Sequence, residues 1–233
     1  DRFYKRGYTD SLGPRDTARW LGFHFWTRVV FGELLRRGYG YVLRLGRGAR
    51  FRSQVRVDIF SVLQQRGAMY GYRLAGCEPV QRADFFRLVQ RSLITQRAQP
   101  LWLLDECGSG KTLLDYARSN CATAGMLQGA FQVDFFVANV SFFTQSAVEQ
   151  FLVSAVDRSA AIWRFNWHEG FWHTAAVRSF APKHCAIRFD EWTHEIATAG
   201  AFEERPAADE PLGLVSYIDL GSGETYGGRG LPD

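Results

Sequence analysis

Cysteine is scarce and scattered. The four residues Cys77, Cys107, Cys121 and Cys185 include no close pair of the kind that binds zinc, so two disulfides and four buried thiols both remain compatible with them. No stretch approaches eighteen uncharged apolar residues, which excludes a membrane-spanning helix within this sequence. Lys and Arg nowhere form a run long enough to follow a nucleic-acid backbone, and nucleic acid is not an expected partner. The formal charge of +4 and the pI near 9.0 come mostly from dispersed Arg and suit a small anionic ligand such as a nucleotide diphosphate. Internal repeats are absent, and the chain opens on Asp1 rather than Met, so the residues carry no readable address. Aromatic rings, by contrast, are in surplus: 15% aromatic within 46% hydrophobic and 22% charged residues is globular composition, and 26.5 kDa fits one domain with a substantial core.

The richest stretch is 162–194, I-W-R-F-N-W-H-E-G-F-W-H-T-A-A-V-R-S-F-A-P-K-H-C-A-I-R-F-D-E-W-T-H. It holds four of the seven Trp and four of the five His, with Glu169, Asp190 and Glu191 between them. Aromatic walls with interleaved ligand-type side chains are what a polar, ring-shaped substrate requires; the same density of rings is also what a core looks like. Glu169 and His173 stand four apart where a helix begins, a spacing that puts both on one face.

Along the chain, 1–16 reads as a loop. Thr17 can cap a helix carrying Trp20, Leu21, Phe25 and Val29 that ends near Gly38, followed by a strand at 39–45 and the Gly/Arg cluster G-R-G-A-R. Asp58 is a good N-cap for a short helix closed by Gly67, and a strand at 69–75 and a helix at 84–93 follow. Gly108-Ser109-Gly110-Lys111-Thr112 imitates a phosphate loop, but Asp105 stands where such a loop needs Gly. A polar turn is the default there and an NTPase the third functional reading. The apolar run 130–140 reads as one long strand buried on both faces. Ser146 and Glu149 form a capping box ahead of a helix, a second helix covers 172–180, and a strand covers 185–189. The organisation is thus a 1–16 loop, a 17–196 domain and an irregular 197–233 tail. Alternating strands and helices argue an α/β fold with 39–45, 69–75, 130–140 and 185–189 in one sheet.

Four landmarks carry a resemblance. They are F-H-F-W-T-R-V-V-F-G-E-L-L-R-R-G-Y-G-Y-V-L-R-L at 23–45, V-D-I-F-S-V-L-Q-Q-R-G-A-M-Y-G-Y-R at 57–73, D-F-F-V-A-N-V-S-F-F-T-Q-S-A-V at 134–148, and W-H-E-G-F-W-H-T-A-A at 167–176. In this order they resemble glycosyltransferase family 15, the eukaryotic Golgi α-1,2-mannosyltransferases. The last is similar to that family's Trp-Gly-Asp-x-x-x-His-Ser-x-Ala and is the most specific. The match covers 8–194 and corresponds to the later part of the family's catalytic domain. The resemblance implies a nucleotide-diphospho-sugar transferase-like (GT-A-type) mixed sheet with helices on both faces. It also implies transfer of mannose from GDP-mannose to a glycan or glycoprotein acceptor, a Golgi location, and manganese as cofactor. Carried over by position, His173 is the metal ligand and Glu169 and Glu78 are the catalytic acids; Arg44, Arg47 and Arg50 could supply positive charge to phosphate directly, and Tyr72 and Trp167 complete the expected nucleotide and substrate site. Two positions depart from the family: Gly46 replaces the acid that holds the metal after the 39–45 strand, and Phe136 replaces the acid of the Asn-Phe-Glu landmark. One His is a weak site for a hard divalent ion, which prefers oxygen ligands, so GDP binding with little dependence on manganese is expected, with an acid at position 46 restoring the metal. The competing class is a non-catalytic binding or scaffold domain on the same fold. The 46–50 loop, Glu169 and His173 are expected to converge on one cleft beyond the carboxyl ends of the strands.

Overall fold

The computed structural model describes residues 14–46, 49–51, 53–79, 82–98, 101, 126–190, 194–196, 214–219 and 225–228, with side chains described at 17–46, 49–51, 53–75, 85–98, 101 and 130–190. The first helix, α1 (Pro14–His24), begins at Pro14, which suits a first helical turn because its missing N–H would be unpaired there anyway. Thr17 therefore lies inside the helix and does not cap it. The helix then widens into a π-turn, Phe25–Val29, and resumes as α2 (Val30–Arg36), which closes at Gly38 with φ of 84°. Strand β1 is Tyr39–Leu45, and a short β2 (Ala49–Phe51) follows. Asp58 caps α3 (Ile59–Gln65) by accepting from Phe60 N and Ser61 N.

The sequence at 69–75 divides into two strands. β3 is Tyr70–Tyr72, and after a bend β4 (Ala75–Pro79) leaves the main sheet to pair with β5 (Met126–Phe131) as a separate two-stranded sheet. The run 130–140 divides as well. A turn at 133–134 separates β5 from β6 (Phe135–Asn139), so the long strand expected there is two strands in different sheets. Helix α4 is Arg82–Thr95, longer at both ends than expected. Behind β6 come the helices Val140–Phe143 and Ser146–Leu152, a second π-stretch Val153–Asp157, then Ala161–Phe165 and Glu169–Phe180. Ser146 is the first residue of its helix rather than its cap; its Oγ accepts from Gln150 Nε2 at 2.9 Å. Then follow β7 (Ala186–Arg188), β8 (His194–Ile196), β9 (Leu214–Asp219) and β10 (Thr225–Gly228). The last two arise within the stretch expected to be irregular.

The main sheet has the order β10-β9-β1-β6-β3-β7 and is mixed, antiparallel throughout except for β3 with β7. Strands 39–45, 70–72, 135–139 and 186–188 thus share one sheet, as the sequence implies. Alternation along each strand feeds two cores. Val42, Tyr70, Phe136 and Ala138 join a large cluster with α2 and the helices 146–152 and 169–180. Phe135, Val137, Ile187 and Phe189 pack on Ile59, Phe60 and Leu63 of α3. Helices cover both faces, which gives an α/β domain of the expected kind.

Candidate functional site

Because β6 runs antiparallel to β1 and β3, and β7 runs parallel to β3, the carboxyl ends of β1, β3 and β7 meet the start of β6 at one edge. Gly46, Tyr72, Arg73, Asp134, Arg188 and Asp190 stand there. Gly46 N–H donates to Asp134 O at 2.7 Å, and Phe189 N–H donates to Tyr72 O at 2.8 Å, which ties the strand ends together. Asp190 Oδ1 accepts from Arg73 Nη1 at 3.2 Å and Arg188 Nε at 3.0 Å. Beyond this edge β2 pairs with β8, placing the exposed Arg50 opposite Glu195. In open α/β sheets this is the edge where ligands bind.

Behind the edge lies the start of helix Glu169–Phe180. His168 caps it, with Nδ1 accepting from Gly170 N at 3.1 Å. A Cβ on Gly170 would come within 2.5 Å of Phe131 O, so only glycine lets this first turn lie against the end of β5. Thr174 Oγ1 then locks the contact, accepting from Phe131 N at 2.8 Å and donating to Gly170 O at 2.6 Å.

That docking turns Glu169 and His173 inward. Glu169 is 1% exposed and pairs through Oε1 with Arg44 Nη1, while Oε2 is buried without a hydrogen bond among the described residues. The Arg44 guanidinium lies 4.6 Å from the centre of the Trp26 ring and 6.0 Å from that of Phe136. Phe136 is thus an aromatic wall for an arginine. His173 is fully buried. Its Nε2 stands 3.0 Å from Trp26 O and its Nδ1 3.1 Å from Tyr70 Oη. A carbonyl only accepts, so Nε2 carries the proton, and Nδ1 accepts from the tyrosine hydroxyl. Burial pulls the pKa of His173 down to about 4, against the raising effects of Trp26 O and Glu169, so the ring is neutral. Burial likewise pushes Tyr70 well above the ordinary tyrosine range.

The residues expected at the site therefore divide. Glu169 pairs with Arg44 near the end of β1, and His173, one helical turn on, meets Tyr70 and Trp26 O; the acid and the histidine are buried and do not line an open cleft. Tyr72 and Arg50 are at the edge. Trp167 is a core residue, stacked on Phe165 at 4.3 Å and edge-on to Phe85 at 5.4 Å. Glu78 has its backbone in β4, opposite Leu127, away from the main sheet. Arg47 and the Gly108–Thr112 segment lie outside the described residues, as do Cys107 and Cys121. Cys185 is a buried free thiol.

Position 46 also reads differently. A Cβ there would stand 2.9 Å from Asp134 Oδ1 and 3.0 Å from Asp134 Cα, so the space an acid at 46 would need is already taken by another acid. Restoring an acid at 46 would displace the turn before β6. Asp134 is the edge residue the sequence reading missed. Its signal was an acidic side chain inside the apolar run F-Q-V-D-F-F, a poor fit to a strand buried on both faces.

Among the described residues, the donors do not fit manganese. His173 has both ring nitrogens engaged, position 46 has no side chain, and no group of three His, Cys, Asp or Glu side chains gathers around a point among the described residues.

No known family model and no curated protein matches the sequence. Solved structures do share the fold. Core-mannan synthase A from Aspergillus fumigatus, in its Mn/GDP form, is 14% identical over 84% of this chain and 51% of its own, with a TM-score of 0.65. The mannosyltransferase Ktr4p from S. cerevisiae in complex with GDP is 15% identical over 81% of this chain and 52% of its own, with a TM-score of 0.60. A further structure of Ktr4p is 16% identical over 81% and 51% of the two chains, also at 0.60. The chain spans about half the length of these structures.

Proposed function

We propose that this chain is a mannosyltransferase-like domain that takes GDP-mannose at the carboxyl edge of its sheet and serves mannose transfer to a glycan or glycoprotein acceptor. The observation that supports it is agreement between the sequence landmarks and the fold. The order and spacing of four sequence landmarks point to the same enzymes whose fold this chain shares over 84% of its length. Fold alone would not carry a function.

The chain's own residues give the edge its chemistry. Guanidinium groups of Arg73 and Arg188 can pair with diphosphate oxygens in place of Asp190, which holds them now, and Arg50 adds charge from β2. The half-buried Tyr72 supplies an aromatic face at the end of β3. Arg44 is not available for phosphate because Glu169 neutralises it. Since the donors among the described residues do not fit manganese, no step is assigned to it. The Golgi location belongs to the proposal through the resemblance; no helix among the described residues is long and apolar enough to cross a membrane.

Calorimetry of GDP and GDP-mannose, with and without manganese, tests the reading. Both nucleotides are expected to bind, with affinity changing less than about threefold on adding the metal, and Arg73→Ala with Arg188→Ala to abolish binding. Absence of GDP binding would overturn the proposal. Transfer of labelled mannose to a mannoside acceptor then separates a working transferase from a domain that binds without reacting.

A further inference from the structure

We infer that His173 is a positioning residue and not a metal ligand: its ring holds the backbone carbonyl that the Phe25–Val29 π-turn releases, and so fixes Trp26 beneath the Arg44 guanidinium. The need arises in the helix. Val30 N–H donates to Phe25 O, five residues back. In an α-helix that same N–H would serve Trp26 O, so the π register leaves the Trp26 carbonyl without its helical donor. Trp26 is 3% exposed, and water cannot supply the missing hydrogen bond at so buried a residue. His173 Nε2, at 3.0 Å, does.

The rest of the ring is committed as well. Nδ1 meets the Tyr70 hydroxyl, and the rings of Phe136 and Phe143 lie 5.0 Å from the imidazole, with Phe31 at 5.7 Å. A divalent cation would have to displace one of the two hydrogen bonds and enter an aromatic enclosure where, among the described residues, the one carboxylate acting on the ring is Glu169, which Arg44 already engages. The Trp-x-acid-x-x-x-His spacing of 167–173 thus survives with altered chemistry. Glu169 holds Arg44 from one side, and His173, one helical turn on, holds the backbone of the tryptophan that supports Arg44 from the other. The three elements, β1, the π-turn and the 169–180 helix, close on one another through these side chains, and Arg44 is kept at the end of β1 next to the ligand edge. None of this depends on the nucleotide-sugar reading.

The test uses the full chain labelled with nitrogen-15. Long-range proton–nitrogen correlations at neutral pH are expected to show His173 as the Nε2–H tautomer, and one equivalent of Mn2+ is expected to leave its ring signals in place. The Nδ1–H tautomer, or loss of the His173 ring signals at one equivalent of Mn2+, would overturn the inference. Two variants test the positioning role. His173→Gln keeps an N–H near the position of Nε2 and is expected to preserve the Arg44 Nε–H resonance, whereas His173→Phe is expected to shift it. An Arg44 resonance unmoved in both variants, or lost in both, would refute it; should His173→Phe not fold, the glutamine variant and the tautomer still decide.

Discussion

At the residue scale, the Arg44–Glu169 pair is the clearest case of a charge arrangement whose cost depends on completeness. Glu169 is buried and Arg44 mostly so, with side-chain exposures of 2% and 19%. Removing one partner strands the other, which costs about 3–5 kcal/mol, whereas replacing both with apolar side chains of similar volume is often close to neutral. Glu169→Ala is therefore expected to lower stability by roughly that amount, and Arg44→Met with Glu169→Leu to lie within about 1 kcal/mol of the parent. Urea denaturation of the two singles and the double measures the coupling; additive losses would mean that the pair does not act as a unit. Gly170 gives a second residue-level expectation. Alanine would gain up to about 1 kcal/mol of helix propensity, but its Cβ would meet Phe131 O at 2.5 Å, a backbone atom with little freedom to move. Overpacking of this kind costs about 1–3 kcal/mol, so Gly170→Ala is expected to be destabilising, with a lowered urea midpoint. The sequence disclosed the shared face of Glu169 and His173 through their spacing of four. It did not disclose what they face, because the π-turn that needs His173 lies far away in the chain and leaves no local pattern.

At the element scale, the two π-stretches are tied to each other. His24 Nε2 and Arg28 Nε reach the two oxygens of Asp157 at 3.0 and 2.9 Å, joining the Phe25–Val29 turn and its preceding residue to the end of Val153–Asp157. Burial acts to raise the pKa of Asp157, but the hydrogen bonds from His24 and Arg28 outweigh it and hold the carboxyl below its ordinary range. The sign of the linkage follows. A carboxyl depressed in the folded state contributes stability that is present above its unfolded value of about 3.9 and is lost as pH falls through the folded value. Asp157→Asn is accordingly expected to be less stable than the parent at pH 7, with the two curves converging as pH falls below about 4. Urea midpoints from pH 7 to pH 3 check this; a constant gap would assign the loss to packing. These π-stretches were not legible. The apolar periods at 20–29 and 147–156 mark helices correctly, but one extra residue in a turn shifts the pattern by less than the width of an apolar face. The break at 133–134 escaped for a related reason, since Val133 is apolar and the turn contains neither Gly nor Pro.

At the scale of the whole molecule, the division of the sheet into two faces was legible, because Phe135 and Val137 alternate with Phe136 and Ala138 as neighbours of two different cores. The closure of the sheet was not. β1 would be an edge strand but for β9, which pairs with it from Tyr39 to Leu45, and β9 lies within a stretch of Gly, Pro and acidic residues that shows no period. Strand pairing between the two ends of a chain leaves no local signal in sequence. The consequence can be tested. An uncovered strand of this length presents a row of unpaired N–H and C=O groups, and such edges recruit other chains. Removal of 197–233 strips β9 from β1, including Val215 and Leu214, the partners of Arg44 and Leu45, and leaves the residues of β1, β6 and the β2–β8 pair in the chain. The shortened chain is therefore expected to unfold at lower urea and to self-associate in light scattering, and a peptide of residues 214–228 added in trans is expected to restore the monomer by reoccupying the edge of β1. A shortened chain that stays monomeric with an unchanged urea midpoint would show that the hairpin contributes nothing to holding the sheet.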